Sequence, residues 1–150
     1  MQHAPQLTTV FFDSDALIAG SASRQGAAFI LMQLAELGLI KGFTSRQVVD
    51  ECRKNLLAKL PDALPVFEKI LSSALTITEN PSASETAEFK TMAHIKDVSI
   101  LTAALNLNAH FLVTFNIKDF TPDAGLNMRV MRPGDLLKEI RTLLTGLADE

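Results

Sequence analysis

Asp13 and Asp15 stand one residue apart at the end of the apolar run "TTVFFDSDAL", residues 8–17. Other acids recur in similar settings: Glu51 inside "TSRQVVDECRKNL", Asp97 at the head of "DVSILTAALNLN", and Asp119 in "LVTFNIKDF". Carboxylates that share a site repel one another, so the site either raises some of their pKa values or binds cations. An all-oxygen donor set suits Mg2+ or Mn2+. Two such ions ~3.5–4 Å apart can activate water and stabilise the leaving oxygen in phosphodiester cleavage.

Each of these residues also has a structural use. Asp13 and Asp15 suit a helix N-cap and a first-turn acid. Glu51 suits a solvated helix face, and periodicity does not choose between it and its neighbour Asp50. Asp97 is a favourable charge at a helix start. Asp119, Thr114 and Asn116 suit a strand end and a turn. His94 fits a solvent-facing last turn better than a metal pair with Asp97. Cys52 is most simply a small buried residue. Phe115 and Phe120 have the rings to stack nucleobases, but core packing is the simpler use.

The elements that must position these side chains alternate in type. Strands are expected at 9–12 (TVFF), 40–44 (IKGFT), 74–78 (ALTIT), 110–114 (HFLVT) and 128–131 (MRVM), where apolar residues are β-branched or aromatic. Helices are expected over 23–38, stopped by Gly38, and over 45–60 with Ser45 as N-cap. Another runs from about Pro61 to Ser72. Further helices are expected over 82–94, 97–108 (deeply buried, being apolar on most sides) and from Pro133 through Leu144. Such alternation implies an α/β fold with a parallel or mostly parallel sheet covered on both faces. Ligands in these sheets bind at the carboxyl ends of strands, where strand order reverses. Strands one and four flank that point in one common order, so Asp13 and the 114–119 loop should face one cleft, near the start of the 97–108 helix.

A chain of 150 residues suits one core; residues 1–7 read as a short tail and 8–150 as a single domain. The net charge of −3, from 14 basic and 17 acidic residues, argues against nucleic-acid binding by bulk positive charge. It leaves room for an enzyme with a local basic patch and bound metal. Lys96 and Lys118 are the cations nearest the acids in sequence. No apolar run reaches the ~18–20 residues of a membrane span, so no membrane is expected. The N-terminus lacks the features of a signal peptide, so a cytoplasmic location is expected. The single cysteine rules out an internal disulfide and a cysteine-based zinc site.

With its acids in this order, the chain resembles the PIN-domain family of metal-dependent ribonucleases, which includes the VapC-type toxins of bacterial toxin–antitoxin pairs. "VFFDSDALIAG" resembles the family's first motif and "TSRQVVDECRKNL" its second. "KDVSILTAALNLNAHFLVTFNIKDF" resembles the Asp, Ala-rich helix, strand ending in Thr and N-x-x-D-F loop; "VMRPGDLL" resembles the closing strand, proline and helix. The likeness spans about residues 8–140. It implies a three-layer α/β/α domain around a parallel sheet of about five strands. It implies Asp13, Glu51, Asp97 and Asp119 as catalytic acids, with Asp13, Asp97 and Asp119 holding Mg2+ or Mn2+, and Asp15, Thr114 and Asn116 in support. An RNA substrate, a cognate antitoxin and a homodimer are the partners it implies.

Two positions depart from the family pattern. Asp15 stands where Asn is common, and it lacks the amide donor that would orient neighbouring carboxylates. Asn116 stands where many relatives have Asp; in relatives written N-x-x-D the fourth acid is the later one, here Asp119. Other folds also place paired acids after a first strand. Haloacid-dehalogenase-like phosphatases expect Thr or Val where Leu17 stands, and receiver domains expect a phospho-accepting Asp and a later Lys that "TITENP" and "VMRPGD" do not supply. The contrasting possibility is a PIN-like module that binds RNA or protein without cutting.

Overall fold

The computed structural model describes residues 7–148. Of the expected tail, residues 1–6 lie outside the described residues. Strands β1 (Thr9–Phe12), β2 (Lys41–Ser45), β3 (Leu75–Thr78), β4 (Phe111–Val113) and β5 (Arg129–Met131) form one sheet in the order β3-β2-β1-β4-β5, every pair parallel. All five coincide with the expected strands to within about two residues. β1 is the central strand. Val10, Phe11 and Phe12 are fully buried, as a strand covered on both faces requires.

The helices are α1 (Ser14–Ala22), α2 (Ala27–Glu36), α3 (Arg46–Lys59), α4 (Leu64–Ala74), α5 (Ala83–Ala87), α6 (Val98–Asn106) and α7 (Pro133–Ala148). α1, α2, α3 and α4 pack on one another, and α7 lies against α2; α6 pairs with α5 and contacts β2. The result is the expected three-layer α/β/α arrangement. One continuous core runs through it, from Phe11 and Phe12 to Leu31, Phe67, Leu101 and Leu136. α6 is buried along most of its length, through Val98, Ile100, Leu101, Thr102, Ala103 and Ala104, as its apolar sequence predicts.

Two helices differ from expectation. The stretch 23–38 is not one helix: α1 already occupies 14–22, Ser23 is its C-cap, and α2 restarts after Gly26. Gly20 in α1 lies close against α2: a Cβ there would displace the Met32 methyl and sit 3.2 Å from Phe29 N. Gly38 ends α2 with a φ of 79°, a left-handed conformation that glycine adopts at no steric cost. The segment 82–94 is helical only over Ala83–Ala87. Its N-cap is Ser82, which forms a reciprocal capping box with Glu85. Beyond it the chain turns and is tied to the 119–121 segment: Thr121 N donates to Met92 O, His94 N to Asp119 O, and Ala93 bridges Phe120. These tertiary bonds outweigh local helical preference.

Candidate active site

Order reverses between β1 and β4, whose carboxyl ends pair through Phe12 and Val113. Asp13 follows β1 immediately, and its N–H donates to Val113 O at 3.0 Å. Asp13 caps α1, accepting from Ser14 N at 2.7 Å through Oδ1. Its other oxygen, Oδ2, accepts from Thr114 Oγ1 at 2.9 Å. Thr114, completely buried at the end of β4, also lies 3.3–3.4 Å from both carboxylate oxygens of Asp15. Asp15 Oδ2 accepts in addition from Phe115 N at 3.0 Å and Asn116 Nδ2 at 3.2 Å. Asn116 N in turn donates to Thr114 Oγ1 at 3.1 Å. Asp13, Asp15, Thr114 and Asn116, expected to cooperate, therefore form one hydrogen-bonded group. The cap use of Asp13 is also present and consumes one of its oxygens.

The remaining acids face an adjoining cleft of about 680 Å³. α3 lines it with Gln47, Asp50, Glu51 and Lys54; the approach to α6 contributes His94, Lys96 and Asp97, and α6 itself Ile100; the loop after β4 contributes Asn116 and Asp119. Ser45 caps α3 by accepting from Val48 N, so the helix starts at the sheet's carboxyl edge. Ser99 Oγ donates to Gln47 Oε1, joining the two walls. Asp97 and Asp119 are brought together by the bonds His94 N to Asp119 O (2.8 Å) and Asp97 N to His94 O (2.7 Å). Asp97 holds the N-cap position of α6 but makes no side-chain capping bond. Its position fits the structural expectation, while its carboxylate remains available to the cleft.

Charge is concentrated here without an ion-pair partner. The ion pairs among the described residues join Arg46 to Glu79, Arg53 to Glu68 and Arg129 to Glu139, none of which is a site acid. Burial pushes the Asp13 carboxyl up to about 7, and the negative charges of Asp15 and Asp97 add to the rise. Asp15 is raised chiefly by burial, against the N–H donors that stabilise its charge. Asp97 is raised by burial and by Asp119, with His94 acting in the opposite sense. Asp13 thus feels Asp97, and Asp97 feels both Asp15 and Asp119: the two groups of acids are electrostatic neighbours. Among the described residues, no three His, Cys, Asp or Glu side chains already surround a point that would hold an ion. Unneutralised carboxylates repel, and two of these are turned onto protein donors. The donor set, all hard oxygen with one buried carboxyl resisting ionisation, nonetheless fits Mg2+ or Mn2+.

Several sequence expectations are resolved by position. Both Asp50 and Glu51 line the cleft. Lys96 lines the cleft, but Lys118 does not; Lys54 takes that place, which the sequence reading does not anticipate. Lys54 lies on the same α3 face as Asp50 and Glu51, three or four residues on, and that spacing is the available signal. His94 lines the cleft too. Cys52 is buried, its thiol raised by burial, with Sγ 3.7 Å from Ser14 O. Phe120 is core, 4% exposed, whereas Phe115 is 45% exposed.

The PIN-domain family model matches residues 9–118, a span that includes Asp13, Asp15, Glu51, Asp97 and Thr114 and ends one residue before Asp119. The chain belongs to the PIN-domain family. Solved structures share this PIN fold at low identity. VapBC2 from Rickettsia felis, bound to a DNA fragment from its promoter, matches with a TM-score of 0.64 and 18% identity, over 81% of this chain and 97% of that one. PAE2754 from Pyrobaculum aerophilum matches at 0.59 and 16%, over 90% and 96%. VapC20 from Mycobacterium tuberculosis, a toxin that cleaves the sarcin–ricin loop, matches at 0.52 and 14%, over 79% and 92%. No curated protein matches significantly. Among the described residues no helix is long and apolar enough to cross a membrane.

Proposed function

We propose that this PIN domain, residues 8–150 acting as one unit, is a Mg2+- or Mn2+-dependent endoribonuclease. The observation that carries this is the meeting of Asp13 and Asp15 with Asp97 and Asp119 at the β1–β4 reversal, with no Lys or Arg among the described residues ion-paired to any of them. Asp13, Asp97 and Asp119 would hold the metal, with Glu51 reaching the same cleft from α3. Bound metal would supply a water ionised near neutral pH and positive charge for the developing phosphorane oxygens. The chain's own residues do the positioning. Ser14 N and the Thr114 hydroxyl fix the two oxygens of Asp13. Asp15 and Asn116 hold the 114–116 loop, and Lys54 and Lys96 offer cations to the phosphates entering the cleft.

RNA as substrate is supported by analogy with the sarcin–ricin loop cleaving toxin. The VapBC2 likeness supports a role as the toxin of a toxin–antitoxin pair, with a cognate antitoxin as partner. A homodimer and a cytoplasmic location complete the proposal. The open arrangement of the acids favours one second possibility, a PIN module that binds RNA or protein without cutting. Incubation with single-stranded RNA, with Mn2+ and with chelator, decides between them. Metal-dependent cleavage that Asp97→Asn abolishes is expected. Binding without cleavage under any divalent metal would establish the non-cutting module.

A further inference from the structure

The acid cleft has two walls, and a side-chain bond joins them. Ser99 Oγ, in the first turn of α6, donates to Gln47 Oε1, in the first turn of α3. Both residues are half-buried. Packing between α3 and α6 is otherwise slight: α3 rests on α1, α4, β2 and β3, and α6 on α5 and β2. The Gln47 end is anchored from behind. Its N–H donates to Asn80 Oδ1 at 2.8 Å, and Arg46 pairs with Glu79 at 3.2 Å, which ties the first turn of α3 to the chain following β3. At the other end, Ser99 is the polar side chain in the first turn of α6, whose N-cap Asp97 makes no side-chain bond to the helix. The acids stand close by in sequence. Asp50 and Glu51 follow Gln47 by three and four residues, on one face of α3, and Asp97 precedes Ser99 by two. Without a cation the acids around the cleft repel one another. A neutral bond between the walls holds a spacing that those charges oppose.

We propose that Gln47 is a positioning residue: its bond to Ser99 is a strut that fixes the α3 wall, with Glu51, against the α6 wall, with Asp97, and so preorganises the cleft for its metal. This rests on the metal-dependent nuclease function proposed above. Gln47 acts through spacing and touches neither metal nor substrate in this role. The demand for such support is steep, because a reacting group misplaced by about 1 Å costs on the order of 100-fold in rate.

Gln47→Met keeps the length of the side chain and removes the acceptor. Ser99→Ala removes the donor from the other end, and Ser99→Thr retains it. These three and the double variant Gln47→Met/Ser99→Ala are compared with wild type. Mn2+ affinity is measured by calorimetric titration, Tm in chelator, and kcat and KM on one RNA. Gln47→Met and Ser99→Ala are each expected to weaken Mn2+ binding roughly 10-fold, the lower end of what lost outer-shell support costs a metal site. Each should lower kcat roughly 10- to 100-fold with KM little changed. The double variant should lose no more than the worse single one, because both changes break the same bond. Ser99→Thr should bind Mn2+ as wild type does. A bond that is merely structural would lower Tm in chelator and leave the Mn2+ affinity and kcat of the folded protein unchanged. That result, or losses that add in the double variant, would overturn the strut while leaving the nuclease proposal standing. Mn2+ binding that depends on Gln47 and Ser99 in a protein that cuts no RNA would keep the strut and reject the nuclease. Absence of Mn2+ binding by wild type would overturn both.

Discussion

The Thr114 hydroxyl donates to Asp13 Oδ2 at 2.9 Å, across 101 residues of sequence, in a fully buried position. It also lies within 3.4 Å of Asp15 and accepts from Asn116 N. A hydroxyl has one proton and two lone pairs, so at any moment one of the two acids receives that proton. Thr114 is therefore where strand order, loop conformation and acid charge meet.

Thr114→Val keeps the shape and removes the hydroxyl. It leaves Asp13 Oδ2 without its donor and Asn116 N without its acceptor. A loss of about 1–3 kcal/mol in unfolding free energy is expected from buried groups left unpaired. Thr114→Ser, which keeps the hydroxyl, should recover most of it and most of the RNA cleavage. Urea unfolding of the three proteins checks this. A valine variant as stable as wild type would mean that the hydroxyl bonds contribute nothing net.

The Asp13 carboxyl, about 7 in the folded protein against an ordinary 3.8, makes a pH prediction for the metal-free protein. In that window the folded state holds a proton that the unfolded state has released. The contribution is complete below pH ~3.8 and is lost as pH rises through ~7, on the order of a few kcal/mol. Asp15 and Asp97, also raised, act in the same direction. Comparison with Asp13→Asn isolates the Asp13 part: the variant should gain on wild type steadily from about pH 4 to about pH 8 in chelator. A difference in unfolding free energy that stays flat across that range would show that Asp13 ionises without penalty.

Divalent metal should reverse this cost. At about pH 7.5, a cation that binds only the folded protein stabilises it by about 2.7 kcal/mol at roughly 100 times its Kd. For a protein of this size that is a rise of about 5–10 °C in Tm. Asp13→Asn and Asp97→Asn should each shrink the rise. It should fade as pH falls below ~7, where the proton on Asp13 competes for the same oxygens. Thermal unfolding against Mn2+ and Mg2+ concentration measures all three effects, and an unmoved Tm at millimolar metal would rule out the metal site.

Much of the fold, and the grouping of the candidate acids, is legible in the sequence because strands and acids carry local signals. β1 and β4 are short apolar runs ending in polar residues, and Asp13, Asp97 and Asp119 each follow or precede such a run. Other features depend on contacts that a linear pattern does not contain. Asp13 and Asp15 signal the start of α1 as N-cap and first-turn acid, but its course through 14–22 is not expected, because "SDALIAGSA" is apolar nearly all round and has no amphipathic stripe to mark it. The 82–94 segment has good helix formers, yet its second half is held in turns by Thr121, Asp119 and Phe120. Phe115 and Phe120 read alike in sequence; only tertiary packing buries one and leaves the other at the surface. Asp50 and Glu51 share a helix turn, and both reach the cleft.

The sharpest separation of roles compares Asp97→Asn with Asp15→Asn. The Asp97 side chain makes no capping bond to α6, so the amide sacrifices no such contact and removes only charge. Cleavage of single-stranded RNA should be abolished with the fold intact. Apo stability should rise slightly as repulsion with Asp119 and Asp15 is relieved. Asp15 differs, because its Oδ2 accepts from Phe115 N and Asn116 Nδ2. Both bonds reach the same oxygen, so an asparagine whose carbonyl oxygen takes that place keeps both, and its NH2 turns toward Thr114 Oγ1, which has a lone pair to accept it. As a supporting residue, Asp15→Asn should retain much of the activity and lose modest stability. Both variants are compared on one RNA, with Mn2+ and with chelator, alongside their unfolding curves. Equal loss of cleavage in the two would make Asp15 a metal ligand instead. Full activity in Asp97→Asn would reject the proposed nuclease mechanism.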